Sequence, residues 1–120
     1  MAHTVTLLAD HKGVARPKVS GDEYVVDAVI DITTYVNGLN GGNIITAESL
    51  GLSTITSAHI TGQESITFTG TIMCSAGTGA YSSSSQFVLL VQELLQATPA
   101  EESNGDTTTY SFRVRVYGNL

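Results

Sequence analysis

The sequence predicts an all-β fold: a small single-domain β-sandwich or open barrel of 6–8 mostly antiparallel strands, with one short helix near 46–51. Three observations carry this. The hydrophobic pattern repeats every second residue rather than every 3.6. Gly, Asn and Pro clusters punctuate the chain between the alternating runs. Ser and Thr supply 12 and 16 of the 120 residues while charged residues make up only 13%, which suits β-rich architecture.

Taken in order, Thr4–Leu8 reads as a first strand. Residues 9–20 follow, with Lys12, Arg16 and Lys18 supplying three of the five basic side chains. Pro17 excludes a helix there and leaves the segment extended, as an N-terminal arm or an edge strand. Tyr24 to Ile32 is a strand, with Tyr24, Val26, Ala28, Ile30 and Ile32 on one face and Asp27 and Asp31 on the other. Asn37-Gly-Leu-Asn-Gly-Gly-Asn43 supplies three glycines for positive φ and predicts a wide turn. Thr46-Ala-Glu-Ser-Leu-Gly51 predicts a turn of helix, capped by Thr46, with Glu48 near its positive end and Gly51 closing it.

Thr54–Thr61 is a β-branched strand. Ser65 to Met73 alternates as well, with Ile66, Phe68 and Ile72 on one face and Gly70 as a gap between them. Residues 77–85 form a small-residue loop. Gln86–Ala97 fits either a buried strand or a helix with the stripe Phe87, Leu90, Val91, Leu94 and Leu95; its β-forming neighbours favour the strand. Pro99–Asp106 reads as an acidic, exposed loop. Thr108 to Tyr117 closes the chain as a half-buried strand, with Tyr110, Phe112, Val114 and Val116 inward and Ser111, Arg113, Arg115 and Tyr117 outward. No linker separates two cores, so residues 1–120 are expected to form one domain.

Charge and chemistry narrow the function. A formal net charge of −6 opposes nucleic acid or an anionic membrane as partner, because counterion release needs a basic surface. The apolar run Val5–Ala9 is too short for a signal core, which predicts a chain made and folded in a cytoplasm. Cys74 is the only cysteine and has no charged neighbour to activate it. His3, His11 and His59 stand at no metal-ligand spacing. Asp22, Glu23, Asp27 and Asp31 offer paired carboxylates, but an exposed strand face explains them without a cleft. Gly77-Thr-Gly lacks the third glycine of a phosphate loop, and no nucleophile elbow occurs. No catalytic residue, cofactor or metal is expected, and the reading is a non-enzyme.

The residues from Ala28 to Ile55 carry a resemblance. Ile30-Asp-Ile-Thr-Thr-Tyr35 followed by Gly41-Gly-Asn-Ile-Ile-Thr-Ala-Glu-Ser-Leu-Gly-Leu-Ser-Thr-Ile55 resembles a pattern of tailed-bacteriophage capsid decoration (cement) proteins. In that pattern a strand ending in an aromatic leads to Gly-Gly, a Thr-Ala-x-x-Leu-Gly-Leu turn and a β-branched strand. Phe112-Arg-Val-Arg-Val-Tyr-Gly118 looks like the closing strand of that family. The match departs at Asn43, where the family carries an acidic residue, and from Tyr81 to Ala97.

The resemblance implies a structural head protein on the outer capsid surface of a virion. Its partners would be the major capsid protein, whose subunits it bridges, and further copies of itself in rings of two or three. The expected contacts to the shell are Lys12, Arg16, Pro17 and Lys18 from the basic segment and Asn37, Asn40 and Asn43 from the glycine-rich turn, with the acidic 99–106 loop facing solvent. The alternative is a receptor- or carbohydrate-binding β-sandwich module of a head or tail fibre.

Overall fold

The computed structural model describes residues 3–10, 12–38, 41–74, 85–93, 101–102, 105 and 108–120. These form eight antiparallel strands and one turn of 3-10 helix: β1 (His3–Leu7), β2 (Lys18–Ser20), β3 (Glu23–Ile32), β4 (Asn43–Thr46), the 3-10 turn (Glu48–Leu50), β5 (Thr54–Gln63), β6 (Phe68–Met73), β7 (Gln86–Glu93) and β8 (Tyr110–Asn119). They assemble into two sheets. The larger runs β1-β3-β8-β5, with β2 pairing β3 beyond the end of β1, and the smaller runs β4-β7-β6. The expected all-β class is what the chain adopts.

The core follows from the period-two pattern. Val26, Ala28, Ile30 and Ile32 of β3 are buried, and their register places them beside Val116, Val114, Phe112 and Tyr110 of β8. From the smaller sheet, Phe87, Leu89 and Val91 of β7 and Ile45 of β4 join the same core. Phe68 meets the rings of Tyr110 and Phe112 edge-on, at centroid distances of 5.0 and 5.3 Å, and so ties β6 to β8 across the sandwich. Gly70 is where the opposite sheet leaves no room for a side chain. A Cβ there would sit 2.5 Å from Ile60 Cδ1 and 2.8 Å from Phe112 Cε1, so the gap in the β6 pattern is filled by the opposite sheet.

Residues 86–93 are the strand that their neighbours favour; 94–97 lie outside the described residues, as does most of the 77–85 loop. The helix at 46–51 is a single 3-10 turn. Its flanking residue is Ala47, which has no capping side chain. Thr46 Oγ1, one residue earlier, accepts the Ser49 N–H at 3.3 Å. Gly51 closes the turn with φ 79°, as a left-handed C-cap does.

Three expectations are corrected. Ile66 is not on the core face of β6 but 78% exposed, because Ser65 and Thr67 bond each other and the local backbone and delay the strand to Phe68. The segment 9–20 is not a projecting arm. Asp10 Oδ1 accepts the main-chain N–H of Lys12 and Val14, folding the chain into a tight turn, and Lys18–Ser20 then zips onto β3. The acidic 99–106 loop is not wholly exposed. Glu101 is half-buried and Glu102 buried, for reasons that belong to the site below.

Candidate functional site

Two groups of residues were expected to touch a partner, and the fold keeps them in different places. Lys12, Arg16 and Pro17 lie in the connection from β1 to β2, and Lys18 opens β2, at the edge of the larger sheet. Asn37 and Asn43 lie in the crossover that carries the chain from β3 to the smaller sheet. Asn40 lies outside the described residues.

In the first group, Lys12, Arg16 and Lys18 are exposed and Pro17 is half-buried. The proline ring lies against Gly51, whose added Cβ would stand 3.2 Å from Pro17 Cδ. Lys18 Nζ approaches Asp10 Oδ2 at 3.7 Å, a long pair between an exposed lysine and a half-buried aspartate worth about 1 kcal/mol. Arg16, Pro17 and Lys18 line a shallow hollow together with Val19, Tyr24 and Leu120. Val19 and Leu120 are 71% and 64% exposed, so cationic heads here border open apolar surface.

The second group is structural. Asn43 is 1% exposed, and its side-chain amide is used up by main-chain partners. Oδ1 accepts the Val36 N–H at 3.1 Å, while Nδ2 donates to the Val36 carbonyl at 3.0 Å and the Leu89 carbonyl at 2.9 Å. The amide thus pairs with the Val36 peptide as a neighbouring strand would, and it fixes the crossover to β7. Asn43 is therefore withdrawn as a shell contact: no surface of it reaches a partner. Asn37 is half-buried, and its carbonyl closes the turn by accepting the Gly42 N–H at 2.9 Å. Gly42 has φ 74°, and a Cβ would fall 2.4 Å from Val88 Cγ1, so only glycine lets the crossover lie on β7.

A polar cluster that spacing did not reveal completes the crossover. Tyr35 is 1% exposed; its hydroxyl donates to Glu101 Oε2 at 2.5 Å and accepts the Val91 N–H at 2.8 Å. Glu101 Oε2 also accepts the Gly38 N–H at 2.8 Å. Next to it Glu102 donates its N–H to the Val91 carbonyl and receives the Tyr110 hydroxyl at 2.5 Å. The two glutamates are pulled inward because buried tyrosine hydroxyls and a bare stretch of the β7 edge need partners. The available signal was the pair of tyrosines on inward-facing positions.

Burial and the Glu101 carboxylate push the Tyr35 phenol well above its ordinary range, against the smaller opposing effect of the Val91 N–H. A group whose folded-state value is raised stabilises the fold fully below about pH 10 and loses that contribution as pH rises further. Tyr35→Phe is expected to cost about 2–3 kcal/mol at neutral pH, by leaving the Val91 N–H and Glu101 without their partner. Thermal melts from neutral to strongly alkaline pH check this: the loss caused by Y35F shrinks above about pH 10.

On the outer face of the larger sheet, Asp27 meets Arg115 in a two-pronged pair, Nε to Oδ1 at 2.9 Å and Nη2 to Oδ2 at 3.1 Å. The Arg115 hydrogen bond holds the Asp27 carboxyl below its ordinary range, although partial burial opposes it. Asp31 accepts the Ser111 hydroxyl at 2.5 Å, and His59 stands edge-on to Tyr117 at 6.1 Å. Of the carboxylates expected on an exposed strand face, Asp27 and Asp31 bond neighbours on β8 and Glu23 accepts the Thr56 hydroxyl of β5 at 2.7 Å. Among the described residues no group of three or more His, Cys, Asp or Glu side chains is placed to hold a metal ion. No helix among them is long and apolar enough to cross a membrane. Comparison with protein-family models, with curated proteins and with solved structures found no match to this chain.

Proposed function

We propose that this chain is a structural protein of a bacteriophage head, which binds the outer surface of the assembled capsid and stabilises it by bridging major capsid subunits. The observation that carries the reading is the segment 28–55, on which the resemblance to decoration proteins rests. Its residues run from β3 of the larger sheet through the Tyr35 and Asn43 crossover to β4, round the 3-10 turn, and back to β5. Every hallmark of the motif therefore has a task in joining the two layers: the aromatic, the Gly-Gly pair and the Leu-Gly-Leu turn. A cement protein needs such a stiff frame, since a rigid body loses little entropy when seated.

The shell contact in this reading is the β1–β2 connection with Arg16 and Lys18, beside the apolar surface of Val19 and Leu120. Asn37 lies in the crossover and not in this connection, and its carbonyl is committed to the turn. Single ionic contacts at an exposed surface are weak, and repetition over a lattice sums them. Arg16→Ala with Lys18→Ala is expected to weaken binding to capsids stripped of the protein by about tenfold and to flatten its dependence on salt. Occupancy measured against salt concentration checks this. Equal occupancy of the variant and the parent at every salt concentration removes the β1–β2 connection from the contact.

A further inference from the structure

Every sheet with two ends must manage its edges, because unpaired N–H and C=O groups template pairing with another chain. Four of the edges here carry a protective device. β5 has two register breaks against β8, between Ile55 and Ser57 and between Ile60 and Gly62. β2 is three residues long, preceded by Pro17 and headed by Lys18. β4 is four residues long. β6 contains Gly70, and the Gln63 amide already occupies its Phe68 carbonyl. β1, at five residues, is longer than β2 and β4 and carries none of the other devices. It is His3-Thr-Val-Thr-Leu7, with unbroken register against β3 and no proline, glycine, lysine or carboxylate.

The strand is also self-complementary. Leu8 N–H donates to the Asp27 carbonyl at 2.9 Å, and main-chain groups alternate sides along an antiparallel strand. Thr4 and Thr6 therefore bond β3, while His3, Val5 and Leu7 turn their N–H and C=O groups to the open edge. The side chains of Val5 and Leu7 pack on the core but stay half-buried, and those of Thr4 and Thr6 are exposed on the outer face. About Val5 the sequence reads the same in both directions for one residue each way: Thr, Val, Thr.

We infer that β1 is a homodimerisation edge, on which a second copy of this chain adds its own β1 antiparallel about a two-fold axis at Val5. In that register Val5 faces Val5, and His3 of each copy faces Leu7 of the other. These three pairs exchange about six main-chain hydrogen bonds. Thr4 of each copy faces Thr6 of the other in the closer, non-hydrogen-bonded pairs on the outer face. The half-buried Val5 and Leu7 gain an apolar neighbour, and two larger sheets become one continuous sheet.

Charge permits a second copy at this edge in spite of the net −6. No carboxylate lies on β1, and Asp27 and Asp31 on the neighbouring β3 are bonded to Arg115 and Ser111. Across the joint the two β3 strands stand about 14 Å apart, beyond the screening length of about 8 Å at physiological salt. A five-residue edge is short, so the dimer is a reversible one. The inference stands apart from the capsid reading and needs no shell.

Sedimentation of the full chain over a wide concentration range tests it. The parent is expected to pass reversibly from the chain mass to twice that mass. Thr4→Lys with Thr6→Lys sets lysine against lysine in both cross-strand pairs and is expected to weaken association at least about tenfold. Thr4→Lys with Thr6→Glu sets lysine against glutamate in the same pairs and is expected to keep the dimer. Amide exchange at Val5 and Leu7 should slow as concentration rises. A monomer at every concentration overturns the inference and leaves the edge to a strand of a different protein. So does a trimer, equal association of the two double variants, or exchange at Val5 and Leu7 that ignores concentration.

Discussion

Asn43→Ala is expected to destabilise the domain by about 3–5 kcal/mol, a large share of the 5–15 kcal/mol typical of a whole domain. The substitution strips partners from three main-chain groups at once: the Val36 N–H, the Val36 carbonyl and the Leu89 carbonyl. The Leu89 carbonyl is buried and the two Val36 groups are partly so, and the cost is therefore nearer that of desolvated, unpaired groups than of three ordinary hydrogen bonds. Asn43→Asp separates this account from simple loss of packing. Aspartate keeps the acceptor for Val36 N–H but places a buried carboxylate against two carbonyl oxygens, which raises its folded-state pKa. The penalty then grows as pH rises above about 4, the unfolded value, and the gap between N43D and the parent narrows on acidification. Denaturant unfolding at acid and neutral pH reads both effects. A gap that stays constant with pH contradicts the assignment.

Gly118→Ala is expected to cost about 3 kcal/mol or more. Gly118 lies between Tyr24 of β3 and Ile55 of β5, beside the first register break of β5. A Cβ would fall 1.9 Å from the Thr54 carbonyl oxygen and 2.9 Å from the Thr54 carbonyl carbon. The obstacle is main chain, so no rotamer change relieves it and β5 must move away from β8. Gly62→Ala is the control, since its Cβ would meet only Arg113 Cβ, at an ordinary 3.7 Å. That variant should stay within about 1 kcal/mol of the parent. Equal midpoints for the two variants in urea would refute the argument from close approach.

The strands were legible in the sequence where one face is buried and the other wet. Tyr110, Phe112, Val114 and Val116 alternate with Ser111, Arg113 and Arg115, and β8 is the centre of the larger sheet because of it. β7 was ambiguous for the opposite reason. Val88 as well as Phe87, Leu89 and Val91 is buried, since the Gly42 crossover covers its second face. A strand buried on both faces shows no alternation.

The candidate site was less legible. Arg16 and Lys18 are as exposed as their charge suggested. Asn43 had the polarity of a surface residue, yet its partner Leu89 is 46 positions away, and nothing local announces it. Glu101 read as a solvated acid for the same reason: Tyr35 lies 66 positions from it. Long-range satisfaction of buried polar groups leaves no period in a sequence.

The proposal of a capsid role is tested most directly by the copy number of this chain in purified virus particles, measured by quantitative mass spectrometry against the major capsid protein. A lattice-wide cement protein is present in near-stoichiometric copies. A handful of copies contradicts lattice-wide coating and points to a neck, tail or fibre, where a receptor- or carbohydrate-binding module belongs. Complete absence from the particles overturns the structural role itself.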